Sequence, residues 1–260
     1  MIDMHSHILP NIDDGAKSIE MSMRMARIYV ANSFSRVVAT PHLFDYSDSD
    51  YSSKILNSVK EMNGLFYDNG IELTVLPGNE IYVSANTVSD LLSDKALSIN
   101  NGRYVLFELP SSDIPMDTAN IIYELRLKGF SPILAHPERN SVIINNPDRL
   151  QDLVEMGAYA QLNLKSLDGF YGKAIKKTAF RFLKNELYSF IGTDSHSDGR
   201  RSPNVMHAME TLKSAVAKEY YWKLVYENPE RALDDRPLSG AKEERQLNPR
   251  KLAGVFTHIF

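Results

Sequence analysis

Met1-Ile2-Asp3-Met4-His5-Ser6-His7 opens the chain as an apolar run that ends in two histidines one residue apart. Short apolar runs of this kind recur about every 30 residues, with segments of helical spacing between them. Strands that alternate with helices predict parallel strands joined by crossover helices. Seven runs are found, which favours a closed or nearly closed α/β barrel over a doubly wound sheet. The runs are Met1 to Met4, Arg36 to Thr40, Leu73 to Leu76, Tyr104 to Leu109, Pro132 to Ala135, Tyr159 to Leu164 and Tyr188 to Gly192.

The length of the chain bounds its domain organisation. Its 260 residues, 43% of them hydrophobic, suffice for one barrel-sized core. After the last strand, Tyr220 to Tyr226 continues the helical packing, and Asn228-Pro229 is expected to end it. The segment beyond is charged and poor in large apolar residues. We therefore predict one domain over residues 1–233 and a mobile tail over residues 234–260.

Composition excludes several classes of protein. The chain contains no cysteine, so a disulfide framework, a cysteine-ligated metal and a phosphocysteine intermediate are all excluded. It has no apolar run of about 18 residues and no signal-peptide pattern, so membrane insertion is not indicated and a cytoplasmic location is expected. The net charge is -4 without a basic block, which argues against nucleic-acid binding.

Most of the histidines lie at predicted strand ends. In a parallel barrel the carboxyl ends of the strands surround one mouth, so residues far apart in sequence converge there. His207 and His258 do not follow strands, and we assign them structural or surface roles. Five of the seven histidines belong to the strand-end group: His5, His7, His42, His136 and His196.

The first two histidines can face one ion. Residues separated by one along a strand point to the same side, so His5 and His7 can share a metal. In the loop that follows, Asp13-Asp14-Gly15 supplies carboxylate oxygens, and we take Asp14 as a ligand. Taken alone, a His-x-His pair is equally compatible with a polar strand end. The remaining strand ends favour the metal site.

Carboxylates also stand at strand ends. Glu80 lies just beyond the third predicted strand and Glu108 ends the fourth. Burying an unpaired carboxylate is costly, so a metal, an arginine or exposure must account for Glu108. We favour metal binding for both glutamates, with ion pairing as the alternative. Asp194 and His196 repeat, after the seventh strand, the spacing of His5 and His7.

The combined donor set exceeds the needs of one ion. A single zinc site takes about three or four protein ligands, so the set predicts two or three divalent cations that share bridging carboxylates. Mixed imidazole and carboxylate donors suit manganese, iron or zinc. The nine predicted ligands are His5, His7, Asp14, His42, Glu80, Glu108, His136, Asp194 and His196.

Two arginines follow the metal-ligand motifs. Arg139 is close to His136, and Arg201 lies five residues after His196. A guanidinium fork matches a pair of phosphate oxygens, which favours a phosphate ester over an amide or lactone substrate. Alternatively, both arginines pair with nearby carboxylates, or Arg200 replaces Arg201 in this role.

These motifs resemble the polymerase and histidinol phosphatase (PHP) superfamily and, within it, the bacterial capsule-type tyrosine-protein phosphatases. The resemblance covers roughly the first 205 residues, in family order and spacing. It departs from the family pattern at Asn140, where tyrosine is expected, and at Ser195, where alanine is usual. The matching segments are Asp3 to Pro10, Asp13 to Gly15, Ala39 to His42, Pro77 to Tyr82, Phe107-Glu108, Ala135 to Arg139, Asp194 to His196, and Arg201.

The resemblance implies a fold and an activity. It implies a distorted seven-stranded (β/α)7 TIM-like barrel and a three-metal site often occupied by manganese or iron. The implied activity is hydrolysis of phosphotyrosine on a polysaccharide-synthesis tyrosine kinase. Our mechanistic hypothesis is that metal-activated water attacks phosphorus while Arg139 and Arg201 bind the phosphoryl oxygens. Asp194 and His42 are candidates for the acid that protonates the leaving phenolate.

Three other functions fit part of the pattern. A histidinol-phosphatase-like enzyme would use the same metal chemistry on a small substrate. A metal-dependent amidohydrolase also begins with His-x-His, but Glu108 stands where its bridging lysine is usual. A non-catalytic regulator could bind phosphotyrosine without hydrolysing it. The sequence leaves the oligomeric state open.

Overall fold

Parallel strands alternate with helices throughout the computed structural model, which describes residues 1–43 and 50–239. Each neighbouring pair of strands is parallel, so the predicted α/β class is confirmed. The strands are β1 (Ile2–Ser6), β2 (Arg36–Ala39), β3 (Thr74–Pro77), β4 (Glu80–Tyr82), β5 (Tyr104–Glu108), β6 (Ser131–Ala135), β7 (Tyr159–Asn163) and β8 (Phe190–Gly192).

The strands are divided between two sheets. One has the order β1-β2-β3 and the other the order β4-β5-β6-β7-β8. Isolated parallel bridges link the sheets on both sides, from Ser6 to Ser195 and from His42 to Glu80. The expected continuous barrel sheet is thus replaced by two parallel sheets joined through these bridges.

The prediction of seven strands was wrong by one. Strand β4 has three residues, too few to show a periodicity of their own, and it follows β3 closely. The chain changes sheets between them, at Gly78-Asn79. The Asn79 side chain compensates the broken ladder, since its Nδ2 donates to the Pro41 carbonyl at 2.8 Å and its Oδ1 accepts from the Leu97 amide at 2.8 Å.

Helices cover the outer face of the sheets. Ser18 caps the first helix by accepting a hydrogen bond from the Met21 amide at 3.3 Å. The α-helices are α1 (Ile19–Ala31), α2 (Tyr51–Asp68), α3 (Thr87–Leu92), α4 (Thr118–Leu127), α5 (Ser141–Asn145), α6 (Asp148–Glu155), α7 (Leu164–Asp168), α8 (Lys173–Lys184), α9 (Met206–Ala215), α10 (Lys218–Trp222) and α11 (Asn228–Leu233). In the described ranges no helix has both the length and the apolar composition needed to cross a bilayer.

Asn228-Pro229 does not end the last helical segment, contrary to expectation. A π-helical turn, Lys223–Glu227, lies between α10 and α11. Pro229 is the second residue of α11 and comes directly after this π-helical turn, so the helical path continues through it.

The inner face of the strands changes character along its length. Tyr104 and Leu106 of β5 are buried in an apolar cluster, and the next residue on that face is Glu108. The same cluster takes residues from both sheets, so the sheets enclose one inner core. Its members are Ile2, Met4, Val38, Ile99, Tyr104, Leu106, Ile133, Ala135, Phe190, Ala232, Leu233 and Leu238. The apolar residues thus lie toward the amino ends of the strands, and the polar residues toward the carboxyl ends.

The first residues of the predicted tail contact the domain. Asp235 accepts a hydrogen bond from the Arg103 amide at 2.6 Å, and Tyr104 donates to the Arg236 carbonyl at 2.8 Å. Leu238 is buried against the inner core. Residues 240–260, which include His258, lie outside the described residues, so the tail and the boundary at residue 233 stay predictions.

Candidate metal centre

Glu80 occupies the middle of a cluster of histidines. Its side chain is 1% exposed, and its Oε2 lies 3.0 Å from His5 Nε2, 3.3 Å from His7 Nε2 and 3.3 Å from His42 Nδ1. Its Oε1 lies 3.0 Å from His136 Nε2. Burial by itself would raise the pKa of Glu80, but the surrounding histidines, His5 first, hold that pKa well below its usual value.

The hydrogen bonds of His5 and His7 fix which nitrogen carries the proton. His5 Nδ1 lies 2.9 Å from Gln161 Oε1, and His7 Nδ1 lies 2.6 Å from Asp13 Oδ2. Since both partners accept hydrogen bonds, each Nδ1 carries a hydrogen and the neutral ring presents a lone pair at Nε2. The two Nε2 atoms are 3.2 Å apart and both face Glu80. Two imidazole nitrogens and one carboxylate oxygen therefore converge on one point.

Two glycines permit this close approach. A methyl group on Gly15 would lie 2.5 Å from Cβ of His7, and one on Gly192 would lie 2.6 Å from Cβ of His5 and from Nε2 of Gln161. Any side chain at either position would displace a histidine. The loop after β1 and the end of β8 therefore need glycine at these two positions.

The donor atoms fall into three overlapping groups. Within each group, the ligand atoms lie within 4.8 Å of one another. The groups are His7, Asp14, His42 and His196; His5, His7 and Glu80; and His42, Glu80 and Glu108. Because His7, His42 and Glu80 belong to two groups each, the three groups form one continuous cluster.

Asp14 and His196 lie at the outer edge of this cluster. His196 Nδ1 is 3.0 Å from the Asp194 carbonyl oxygen, which places the hydrogen on Nδ1 and the lone pair on Nε2. That Nε2 lies 3.3 Å from Asp14 Oδ1. Asp14 is half exposed, with 53% of its side chain accessible, so solvent reaches the cluster from this side.

Glu108 and His136 form the opposite edge. His136 Nε2 lies 3.6 Å from Glu108 Oε1. Burial, followed by the charge of Glu80, raises the pKa of Glu108 to about 8. Burial, followed by the charge of Arg139, lowers the pKa of His136 to about 4, so its ring is neutral and can act as a ligand.

Both predicted arginines contact Asp194. Arg139 Nη1 lies 2.6 Å from Oδ2 and Arg201 Nη2 lies 2.9 Å from Oδ1. Asp194 Oδ1 also lies 3.5 Å from His7 Nε2, so this carboxylate joins the arginines to the histidines. Arg200 does not take the place of Arg201, because its guanidinium lies over the ring of Phe170 at 5.1 Å.

Two site residues have a left-handed backbone. His136 has φ 31° and Asp194 has φ 51°, in a region that residues other than glycine seldom adopt. Both directly follow or closely follow strands, where the chain turns sharply away from the sheet. Such strain is typical of functional sites that the surrounding structure holds in place.

Tyr171 extends the site beyond the metal-binding residues. Arg139 lies over its ring at 4.6 Å, and Asn163 Nδ2 donates to its hydroxyl at 3.2 Å. Asn163 also donates to Asp194 Oδ2 at 3.0 Å. Tyr171 follows α7 in a short loop between two glycines, where no strand or histidine motif marks it.

The donor set satisfies the requirements of divalent cations. Neutral imidazole nitrogens and carboxylate oxygens are the ligands that manganese, iron and zinc accept. In the cation-free chain burial would lower the pKa values of His5 and His7, but the surrounding carboxylates raise them, so protons lie between their Nε2 atoms and Glu80. A divalent cation at this point would replace those protons and be held by the two nitrogens and the carboxylate, so the residues fit the metal that the sequence motifs imply.

The nine predicted ligands all lie in or against this cluster, whereas the other singled-out positions do not. His207 is 77% exposed and its Nδ1 lies 2.6 Å from Asp168, on the surface. Asn140 caps α5 and donates to the Pro110 and Asp113 carbonyls at 2.7 and 2.8 Å. Ser195 donates to Thr193 Oγ1 at 2.7 Å.

Sequence reasoning missed the residues that hold the ligands in place. Asp13 was grouped with Asp14 as an oxygen donor, but its side chain is 1% exposed and supports His7. Gln161 supports His5 from strand β7. Asp13 lies in the loop seven residues after the end of β1 and Gln161 is the middle residue of β7, so position did not mark either of them.

Known proteins resemble the chain over most of its length. The family described as "Capsular polysaccharide synthesis, CpsB/CapC" matches residues 1–234. Tyrosine-protein phosphatase YwqE of Bacillus subtilis (strain 168) is 34% identical over 256 residues, which cover 98% of this chain and 100% of that protein. Tyrosine-protein phosphatase CpsB of Streptococcus pneumoniae is 27% identical over 241 residues, which cover 91% of this chain and 99% of that protein.

Solved structures agree with these matches. The structure described as "Crystal structures of YwqE from Bacillus subtilis and CpsB from Streptococcus pneumoniae, unique metal-dependent tyrosine phosphatases" superposes with a TM-score of 0.86 at 34% identity, covering 92% of this chain and 96% of that chain. A phosphotriesterase homology protein from Escherichia coli has a TM-score of 0.53 at 12% identity, covering 88% and 97%, which is a likeness of fold alone. The resemblance inferred from the sequence motifs is confirmed.

Proposed function

The chain belongs to the CpsB/CapC family of capsular polysaccharide synthesis proteins, and we propose that it is a metal-dependent protein-tyrosine phosphatase. The convergence of His5 Nε2, His7 Nε2 and Glu80 carries this proposal, because that arrangement calls for a cation. Similarity to YwqE and CpsB, which are named tyrosine-protein phosphatases, supports the substrate class. With no cysteine in the chain, a phosphocysteine intermediate is excluded, and we propose metal-activated water as the nucleophile.

The proposed centre binds about two to three divalent cations, with manganese favoured over iron or zinc. Divalent cations, when bound, lower the pKa of water toward neutrality and so supply a nucleophile for attack on phosphorus. The proposed ligands are the seven residues of the three groups, together with His136 and Asp194, which lie against them. Asp13 and Gln161 hold the rings of His7 and His5 with Nε2 turned inward.

Arg139 and Arg201 are the proposed phosphate-binding residues. A guanidinium has five N–H donors, and each arginine uses few of them on Asp194, so donors are left for phosphoryl oxygens. Arg201 Nε is buried and has no hydrogen-bond partner among the described residues, and a phosphate oxygen would satisfy it. Asp194 holds both forks in place and so aligns them with the cluster.

Protonation of the leaving group is the remaining step. The phenol of tyrosine has a pKa near 10, so a departing phenolate needs less help from an acid than a serine alkoxide. Burial would raise the pKa of Asp194, but the hydrogen bond from His7 and the charges of His5 and Arg139 hold it well below the usual value. Burial also lowers the pKa of His42, so the pKa directions do not choose between the two, and both are proposed as candidates for the acid.

Together with the activity, we propose a barrel fold and a biological role for the chain. We propose that the two sheets form the distorted TIM-like barrel, supported by the inner core that they share and by the bridges at Ser6 and His42. The proposed substrate is phosphotyrosine on a bacterial tyrosine kinase that controls capsular or exopolysaccharide synthesis. A cytoplasmic location fits that partner.

Hydrolysis assays on the full-length chain test the proposal. The chain is stripped with a chelator and assayed with a phosphotyrosine peptide, a phosphoserine peptide and histidinol phosphate, before and after Mn²⁺ is added. We expect activity only with Mn²⁺ and the highest kcat/KM on phosphotyrosine. If histidinol phosphate is hydrolysed with a higher kcat/KM than the phosphotyrosine peptide, the histidinol-phosphatase-like alternative is favoured. If the chain binds the phosphotyrosine peptide but does not hydrolyse it with any of several divalent cations, the non-catalytic regulator is favoured instead.

A further inference from the structure

A cleft of about 250 Å³ adjoins the metal-binding cluster. One side is formed by Glu108, His136 and Arg139, which belong to the proposed site. Away from these residues the walls include Leu109 and Ile175. The cleft therefore joins a charged end, suited to a phosphoryl group, to an apolar body beside it.

Tyr171 provides the aromatic wall of this cleft. Its ring is fixed on one side by Arg139 at 4.6 Å and at its edge by Phe170, with ring centroids 4.8 Å apart. Its hydroxyl accepts a hydrogen bond from Asn163, and its own proton has no acceptor in the described parts of the chain. A ring held in this way is preorganised to contact a ligand.

We propose that the cleft is the subsite for the aromatic ring of a phosphoaryl ester, with Tyr171 as the specificity-determining residue. This inference rests on the proposed phosphatase function. The occupant follows from continuity with the charged end, because a phosphate bound by Arg139 would direct its ester group into the cleft. A phenyl ring fills the space between Tyr171, Leu109 and Ile175, whereas a short alkyl group leaves it largely unfilled.

Binding of two phosphonates tests the subsite without requiring turnover. Phenylphosphonate and methylphosphonate share the charged group and differ in the ring, and calorimetry on the Mn²⁺-loaded full chain measures both Kd values. We expect Tyr171→Leu to weaken phenylphosphonate about tenfold and to leave methylphosphonate within about twofold. Tyr171→Phe should retain most of the preference for the ring. Tyr67→Leu, the matched control at an exposed position of α2 outside the cleft, should change neither Kd.

A second wall makes the test independent of Tyr171. Ile175→Asn, on a half-buried helix position, should also lower the preference for phenylphosphonate, and the adjacent exposed Ala174→Ser should not. Equal weakening of both phosphonates by Tyr171→Leu, or no change in either, would overturn the subsite. If the wild-type chain prefers phenylphosphonate but does not hydrolyse phosphotyrosine with Mn²⁺, the proposed function fails while the subsite stands.

Discussion

The two ends of the strands differ sharply although they belong to one continuous face. Toward the amino ends, Leu106, Ile133 and Phe190 are fully buried among apolar neighbours, and Leu233 and Leu238 cover them. Toward the carboxyl ends, the same face carries buried histidines and carboxylates. In α/β barrels conservation at the first end reflects stability and at the second reflects catalysis. In this chain the apolar packing lies toward the amino ends of the strands and the proposed metal-binding residues lie toward the carboxyl ends.

The polar end of the strands is expected to need bound cations for stability, and the apolar end is not. Ionised and polar groups are unfavourable when buried unless they are paired or coordinated. A bound ligand stabilises the folded state by about 2.7 kcal/mol when its concentration is 100 times Kd. Cations should therefore stabilise this protein through its carboxyl end, and the apolar end should be insensitive to them.

The largest effect is expected at the centre of the polar end. Glu80→Gln keeps the shape of the side chain but removes the charge that faces four histidines. We expect kcat/KM on a phosphotyrosine peptide to fall by about 10³-fold or more, since several kcal/mol of metal-assisted stabilisation is lost. The melting temperature of the metal-free protein should fall as well, because the lowered pKa of Glu80 means that its charge stabilises the folded state through the histidines. An active Glu80→Gln enzyme would contradict the assignment of the centre.

The reciprocal change is made at the apolar end. Leu106→Ala removes a fully buried side chain two residues before Glu108 on the same face. We expect the free energy of unfolding to fall by about 2–5 kcal/mol. The folded fraction should keep its kcat/KM, measured below the lowered melting temperature. If Leu106→Ala lost activity but kept its stability, the assignment of the apolar end to stability alone would be wrong.

A smaller effect is expected one contact away from the cluster. Asp13→Asn weakens the support of His7 Nδ1, and we expect metal affinity or activity to fall about 10–100-fold. Excess Mn²⁺ should restore part of the activity, because the ligands themselves are intact. The control is Asp148→Asn, an exposed residue paired with Arg181, which should behave as the wild type. If excess Mn²⁺ does not raise the activity of Asp13→Asn, the loss of activity would indicate a folding defect instead.

The smallest effect is the dependence of metal affinity on pH. Burial lowers the pKa of His7, but Asp13 and the other carboxylates outweigh it, so in the cation-free chain the pKa lies well above its usual value. Protons then compete with cations at Nε2, and apparent affinity should rise with pH through and above neutrality, by about tenfold or less per unit. Asp13→Asn should flatten this rise. Affinity that falls as pH increases would contradict the protonation assignment.

The positions of the proposed ligands could be predicted because each depends on local sequence. Strand ends are marked by apolar runs, and parallel strands bring their carboxyl ends together, so the histidines and Glu108 could be placed at one mouth. Strand β4 could not be predicted, since its three residues show no periodicity and its pairing depends on distant β5.

The supporting residues could not be predicted because their roles are set by tertiary contacts. The Gln161 side chain of β7 reaches His5 of β1 across β8, in space that stays open because Gly192 has no side chain. Tyr171 lies in a loop whose path no periodicity fixes, and its function depends on Arg139 from another segment. Sequence patterns place residues on elements, but they do not state which side chains meet.

Isothermal titration calorimetry of the metal-free chain with Mn²⁺ counts the bound ions and so tests the proposed metal centre. We expect about two to three bound ions per wild-type chain. We expect fewer or weaker sites for Glu80→Gln and unchanged binding for Leu106→Ala. A wild-type chain that binds no divalent cation while it hydrolyses phosphotyrosine would contradict the account.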